Sequence, residues 1–114
     1  MKTREVVIAL TVILCFVLCA CGQRKPHYVI GVSQCSDDIW RDKMNGELRI
    51  ATYAHDNVEL KFASANDNVS RQIEQIDRFA DMGVDLLIVS PVQGEVSKAI
   101  DRAYDKGIPV IVFD

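Results

Sequence analysis

The chain has 114 residues, 49% of them hydrophobic, with 13 basic and 16 acidic side chains and a formal net charge of −3. That length allows one small domain. The slightly acidic balance gives no electrostatic basis for a nucleic-acid partner.

Lys2 and Arg4 precede an uncharged, mostly apolar run from Val6 to Gly22, the layout of an export signal, with Glu5 as an untidy interruption. As a membrane span the run is at the short limit, since crossing takes about 20 apolar residues. Its end, Leu18-Cys19-Ala20-Cys21-Gly22, resembles a bacterial lipobox with Cys21 as the lipid acceptor. Lipidation, ordinary cleavage and an uncleaved anchor all remain open, and all three carry the chain to the periplasm, out of the cytoplasm. Residues 1–22 are therefore assigned to the signal or anchor, 23–27 to a polar tether and 28–114 to a folded body.

Of four cysteines, Cys15, Cys19 and Cys21 fall inside the leader, which leaves Cys35 alone and no disulfide framework. Cys35 suits a small buried hydrophobe better than a reactive thiol, because no His lies near it in sequence. His27 and His55 have no ligand-like spacing with one another or with cysteine, so no metal site is expected; no cofactor is expected either.

Tyr28-Val29-Ile30-Gly31-Val32-Ser33 reads as a first strand, continuous in apolar character rather than alternating. After the loop Gln34 to Asp38, helical spacing begins at Ile39, with Ile39, Met44, Leu48 and Ala51 near one face. Gly46 inside that helix costs about 1 kcal/mol relative to Ala unless close packing on a sheet needs the missing side chain. His55-Asp56-Asn57 breaks the helix, and Val58 to Ala63 alternates like a strand nearer an edge. Asn66-Asp67-Asn68 supplies a helix start, Val69, Ile73, Ile76, Phe79 and Ala80 form the next stripe, and Gly83 suits its left-handed end. Val84 to Pro91 is a short β-branched run that fits a strand buried on both faces. A third stripe follows, Val92, Val96, Ala99, Ile100 and Ala103, closed by Gly107, and Ile108 to Phe113 is a last strand.

Strands alternating with helices, each crossover long enough for a right-handed connection, define a doubly wound parallel α/β sheet. The chain stops at Asp114 directly after a strand, where such a sheet turns into its next helix, so a truncated product or fragment is expected. In an open parallel sheet, ligands bind beyond the carboxyl ends of the strands. The segments meeting there are Gln34 to Trp40, Ala65 to Asn68, Ser90 to Gly94, and Asp114.

Ile73-Glu74-Gln75-Ile76, then Phe79 through Pro91, then Ala99-Ile100 and Gly107 through Asp114, resemble the amino-terminal lobe of the type I periplasmic binding proteins, the ribose- and galactose-binding group. The likeness runs from Tyr28 to the end. The loop Gln34 to Arg41 is further similar to the opening loop of the sugar-sensing input domains of hybrid two-component histidine kinases. This resemblance implies sugar contacts at Asp37 and Asp38, a ring-covering role for Ile39 and Trp40, a polar contact at Ser90, and a carboxylate at Asp114 that accepts two sugar hydroxyls. It also implies a small sugar as partner, a second, carboxyl-terminal lobe, and a membrane reached through the leader or a lipid. Each residue has a plainer role open to it. Asp37 or Asp38 can cap the first helix, Trp40 can pack under the sheet, and Ser90 before Pro91 can simply end a strand.

Sensor input is the preferred context over a substrate-binding lipoprotein of a sugar transporter. A single lobe is expected to bind no sugar measurably, since the family holds its ligand between two. A flavodoxin-like enzyme is disfavoured: no Gly-rich phosphate loop follows the first strand and no nucleophile and base can be paired. A receiver domain would need an Asp where the third strand ends in Ser90-Pro91, and a sugar-responsive repressor would carry a DNA-binding helix pair in place of the apolar leader.

Overall fold

A computed structural model describes residues 27–113, together with Met1 and Thr3. The rest of the leader, Cys21 included, the tether before His27, and Asp114 lie outside the described residues. Among the described residues four strands form one sheet: β1 (Tyr28–Gln34), β2 (Val58–Ser64), β3 (Leu86–Val89) and β4 (Val110–Val112). The helices between them are α1 (Ile39–Thr52), α2 (Val69–Met82) and α3 (Ser97–Asp105), the last preceded by a 3-10 turn at Gly94–Val96. Among the described residues no helix is long and apolar enough to cross a membrane.

The strand order is β2-β1-β3-β4, and every pairing is parallel. The chain first steps from β1 to β2, then crosses back past β1 to β3, so with right-handed crossovers α1 lies on one face and α2 and α3 on the other. Local contacts agree. A Cβ built on Gly31 would stand 2.9 Å from Cγ of Phe79 on α2, whereas Gln34, three residues on and so on the opposite face, donates to Asn45 of α1 at 2.8 Å.

The larger part of the core lies on the α2/α3 face, with Val32 and Ile88 buried on the other. Ile76, Phe79 and Ala80 of α2 and Ala99 and Ala103 of α3 bury against Leu87 and Val89 of β3. Val84 and Ile108 are buried as well, yet neither belongs to a strand. Each closes a helix end instead: the N–H of Val84 donates to the carbonyl of Phe79 at 3.3 Å, and that of Ile108 to Ala103 at 3.2 Å. In both cases the residue just before is a glycine with positive φ, Gly83 at 66° and Gly107 at 86°. The third and fourth apolar runs are thus shorter as strands than their composition suggests, because their first residue is used by the helix cap.

Helix α1 corrects two sequence expectations. Met44 and Leu48 are half-buried, but Ile39 is 77% exposed and Ala51 is exposed too. At 100° per residue Ile39 and Leu48 sit on opposite sides of the helix, and the inward face runs instead through Arg41, Met44, Asn45, Leu48 and Thr52. Nor does close packing account for Gly46, since a Cβ there would meet nothing within 4 Å.

Candidate functional site

Adjacent strand tips are joined at the carboxyl edge by backbone hydrogen bonds. Ala65 N–H donates to the carbonyl of Gln34 at 2.8 Å, Ser90 N–H to Ser33 at 2.9 Å, and Phe113 N–H to Val89 at 3.0 Å. The loop after β1 is tied to the loop after β2 by Asp67 N–H on the carbonyl of Cys35 at 2.8 Å. Asn66 and Asp67 accept positive φ, 48° and 58°, to make that turn, and both residue types tolerate the left-handed region better than most. The sheet order reverses between β1 and β3, so Ser33 to Cys35 and Val89 to Ser90 flank the position where doubly wound folds bind ligands.

Asp38 is the N-cap of α1. Its Oδ1 accepts the N–H groups of Trp40 and Arg41 at 2.9 and 3.0 Å, and its Oδ2 accepts the Ser36 hydroxyl at 2.6 Å. The Ser36 bond and then the Arg41 N–H hold its carboxyl below the usual range. Asp38 therefore shapes the loop with both oxygens, while Asp37 beside it is exposed. Asp37 lines a polar cavity of about 210 Å³ between α1 and β2, with Gln34, Ser36, Asp42, Asn45 and Arg49.

Trp40 does not pack under the sheet; it is 74% exposed on the first turn of α1. An exposed indole can cover an apolar C–H face while its N–H still donates. Ser90 is at the same edge but fully buried, and its hydroxyl donates to the Cys35 thiol at 3.4 Å. Phe113, the residue before Asp114, lies at this edge as well, with the Arg41 guanidinium 5.7 Å from its ring centroid. The fold thus gathers the loop of Asp37 to Trp40, Ser90 and the end of β4 on one rim.

Three side chains at this rim escape a reading of the sequence by residue type. Arg41 is half-buried, its Nε without a hydrogen-bond partner. Cys35 is half-buried against Ser90 and Ser36; burial pushes its thiol up, but the Ser90 and Ser36 hydroxyls and the Arg41 charge outweigh that and leave it lowered. Gln72 is completely buried and bonded to Ser33, Ser90 and Val92. Only Gln72 left a signal: it occupies an inward position of α2, four residues before Ile76, where a polar side chain needs buried partners.

Known proteins share this fold. The fructose-binding periplasmic domain of a hybrid two-component system superposes with a TM-score of 0.75 at 45% identity, over 77% of this chain and 30% of that one. An ABC transporter solute-binding protein from Bacillus halodurans with bound myo-inositol gives 0.72 at 26% identity, covering 80% of this chain and 32% of the other. A xylitol-binding protein of Mycolicibacterium smegmatis is 41% identical over 71 residues, 60% of this chain. The chain spans 20% of that relative's length. The fold is that of the type I periplasmic binding proteins, and residues 29–114 match the periplasmic binding protein domain, the family to which this chain belongs.

Proposed function

We propose that the carboxyl rim is one half of a sugar-binding cleft, that a second lobe supplies the other half, and that the domain is the extracytoplasmic input of a membrane-bound hybrid two-component histidine kinase. The observation that carries the binding role is the convergence of the loop after β1, with exposed Trp40 and Asp37, on the same rim as Ser90 and Phe113. The sensor context is supported by the 45% identity to the fructose-binding domain of such a system.

The chemistry suits a neutral sugar. Ionised carboxylates, Asp37 and on this proposal Asp114, accept vicinal hydroxyls through charge-assisted bonds, and the Trp40 indole covers the C–H face of the ring. No redox or metal chemistry enters, and the domain binds without catalysing. Signal transfer on this reading is the closing of two lobes on the ligand, passed to the kinase through the membrane.

D-fructose is the first probe. Calorimetry on the 114-residue chain alone should show no saturable binding, and tight binding by the single lobe would refute the two-lobe reading. In a chain extended through a second lobe, Asp114→Ala should weaken fructose binding by about 1.5–3 kcal/mol, roughly ten- to hundredfold. Unchanged affinity there would remove Asp114 from the site. The transport reading, a substrate-binding lipoprotein acylated at Cys21, is favoured by the solute-binding protein with myo-inositol. Coding sequence for a membrane span and kinase following the binding domain supports the sensor, and a stop beside permease genes supports transport.

A further inference from the structure

The side chain of Gln72 is completely buried and uses its whole amide on distant backbone and side-chain groups. Nε2 donates to the carbonyl of Ser90 at 2.8 Å and to the hydroxyl of Ser33 at 3.3 Å, and Oε1 accepts the N–H of Val92 at 2.7 Å. The reverse amide orientation would set Nε2 against the Val92 N–H, donor against donor, so the bonding pattern defines it. These partners lie on both sides of the point where strand order reverses: Ser33 on β1, Ser90 and Val92 just past β3. Pro91 between the latter two has no N–H, so within the 90–92 loop the remaining donors are Ser90, bonded to Ser33, and Val92, bonded to Gln72.

The network continues outward. The Ser33 hydroxyl donates to Gln75 Oε1 at a long 3.5 Å, and Gln75 Nε2 donates to the carbonyl of Ser64 at the end of β2 at 2.8 Å. Towards the rim, the Ser90 hydroxyl reaches the Cys35 thiol at 3.4 Å. Ser36, itself bonded to the Asp38 carboxylate, lies against the same thiol at 3.6 Å, and Arg41 supplies the positive charge nearby.

We infer that Gln72 is the positioning residue of the rim: by holding the carbonyl of Ser90 and the N–H of Val92 it sets the course of the 90–92 loop and aims Ser90 at Cys35. Completely buried, Gln72 acts on the rim through Ser90 and Val92. Its relevance to sugar binding rests on the function proposed above, but its positioning role does not, and the test below contains no sugar.

The test uses the full chain, isotopically labelled, with amide exchange followed by NMR. In the unaltered protein the Val92 amide, although in a loop, should exchange as slowly as the amides of β3; exchange at the rate of a free loop would overturn the inference without any variant. Gln72→Met keeps the side chain's length and loses all three bonds. It should speed Val92 exchange by about tenfold or more, as expected for one lost buried hydrogen bond, while the β1 and β3 ladders stay protected. Val92 unchanged, or all ladders loosened together as for a simple packing residue, would overturn it. The second readout is the pH at which Cys35 becomes alkylable, measured on the tryptic peptide 25–41, which separates it from the leader cysteines. Loss of the aimed Ser90 hydroxyl removes a bond that favours the thiolate, so Gln72→Met and Ser90→Ala should both raise that pH. A rise in Ser90→Ala alone would show that Gln72 does not aim Ser90.

Discussion

Helices α1 and α2 have the same length, 14 residues, and lie on opposite faces of one sheet, yet α2 buries Gln72, Ile76, Phe79 and Ala80 while α1 buries no residue. The α2/α3 face is a packed core closed by two glycine caps. The α1 face is held by Val32 and Ile88 buried in the sheet, half-buried Met44 and Leu48, the Gln34–Asn45 hydrogen bond, and the Arg49 guanidinium 4.4 Å from the Phe62 ring centroid. The difference separates two tasks. The core side holds the strand tips in register, and the thinly held side carries the loop and helix turn on which Asp37 and Trp40 stand. Elements that contact ligands tend to come from the less stable part of a fold.

The sharpest way to break this comparison is Ile76→Ala. Ile76 is completely buried in the α2/α3 core, so the truncation should cost about 2–5 kcal/mol, against a total of about 5–15 kcal/mol for a typical domain. Half-buried Leu48 on α1 should cost less than half as much on truncation to Ala. Equal losses in denaturant midpoints would mean the two faces are packed alike. Gly31→Ala comes next. Its Cβ would meet Cγ, Cδ1 and Cδ2 of Phe79 at 2.9, 3.0 and 3.2 Å, and the buried ring cannot swing away, so overpacking should cost about 1–3 kcal/mol. Adding Phe79→Leu should recover part of that loss; no recovery would show that the ring is not the obstacle. Gly46→Ala on the other face should act in the opposite direction. With open space around its Cβ and a position inside a helix, it should stabilise by about 0.5–1 kcal/mol, seen as a raised midpoint. Destabilisation would indicate a partner packed on that face of α1.

The two faces also differ in how much of them is legible in the sequence. Strands β1 to β4 and the α2/α3 stripes can be read from apolar runs, three- and four-residue spacing and the two glycine stops, because there burial and periodicity coincide. On α1 they do not coincide. Arg41 and Asn45 take inward positions that apolar spacing would assign to Ile39 and Ala51, since this face is partly satisfied by polar contacts. The rim was legible as a set of loops but not in its chemistry. Asp38 reads equally as cap or ligand, and only the folded loop shows both its oxygens engaged. Ser90 reads as a strand end, and its carbonyl, buried under the rim, is bonded by a glutamine 18 residues earlier. Pairings across such separations leave no local pattern.

The smallest expected effect concerns the caps, and it follows the same division. Helix α2 begins at Asn68, whose amide oxygen accepts the Arg71 N–H at 2.8 Å and does not titrate. Helix α1 begins at Asp38, whose folded-state carboxyl is held low by the Ser36 hydroxyl and the Arg41 N–H. A lowered folded value means the carboxylate's contribution is present above the ordinary Asp value near 3.8 and is lost as pH falls through the lower folded one. Acid should therefore loosen the first turn of α1 before that of α2. Trp40, the single tryptophan, stands on that turn and reports it by fluorescence. Asp38→Asn keeps a good capping side chain but removes the titration. Its stability deficit relative to the unaltered protein should be present at pH 7 and shrink towards zero as pH falls through that lowered folded value. A deficit independent of pH would mean that the carboxylate's charge adds nothing to this cap, and that the face carrying the candidate site is no more sensitive to acid than the core behind it.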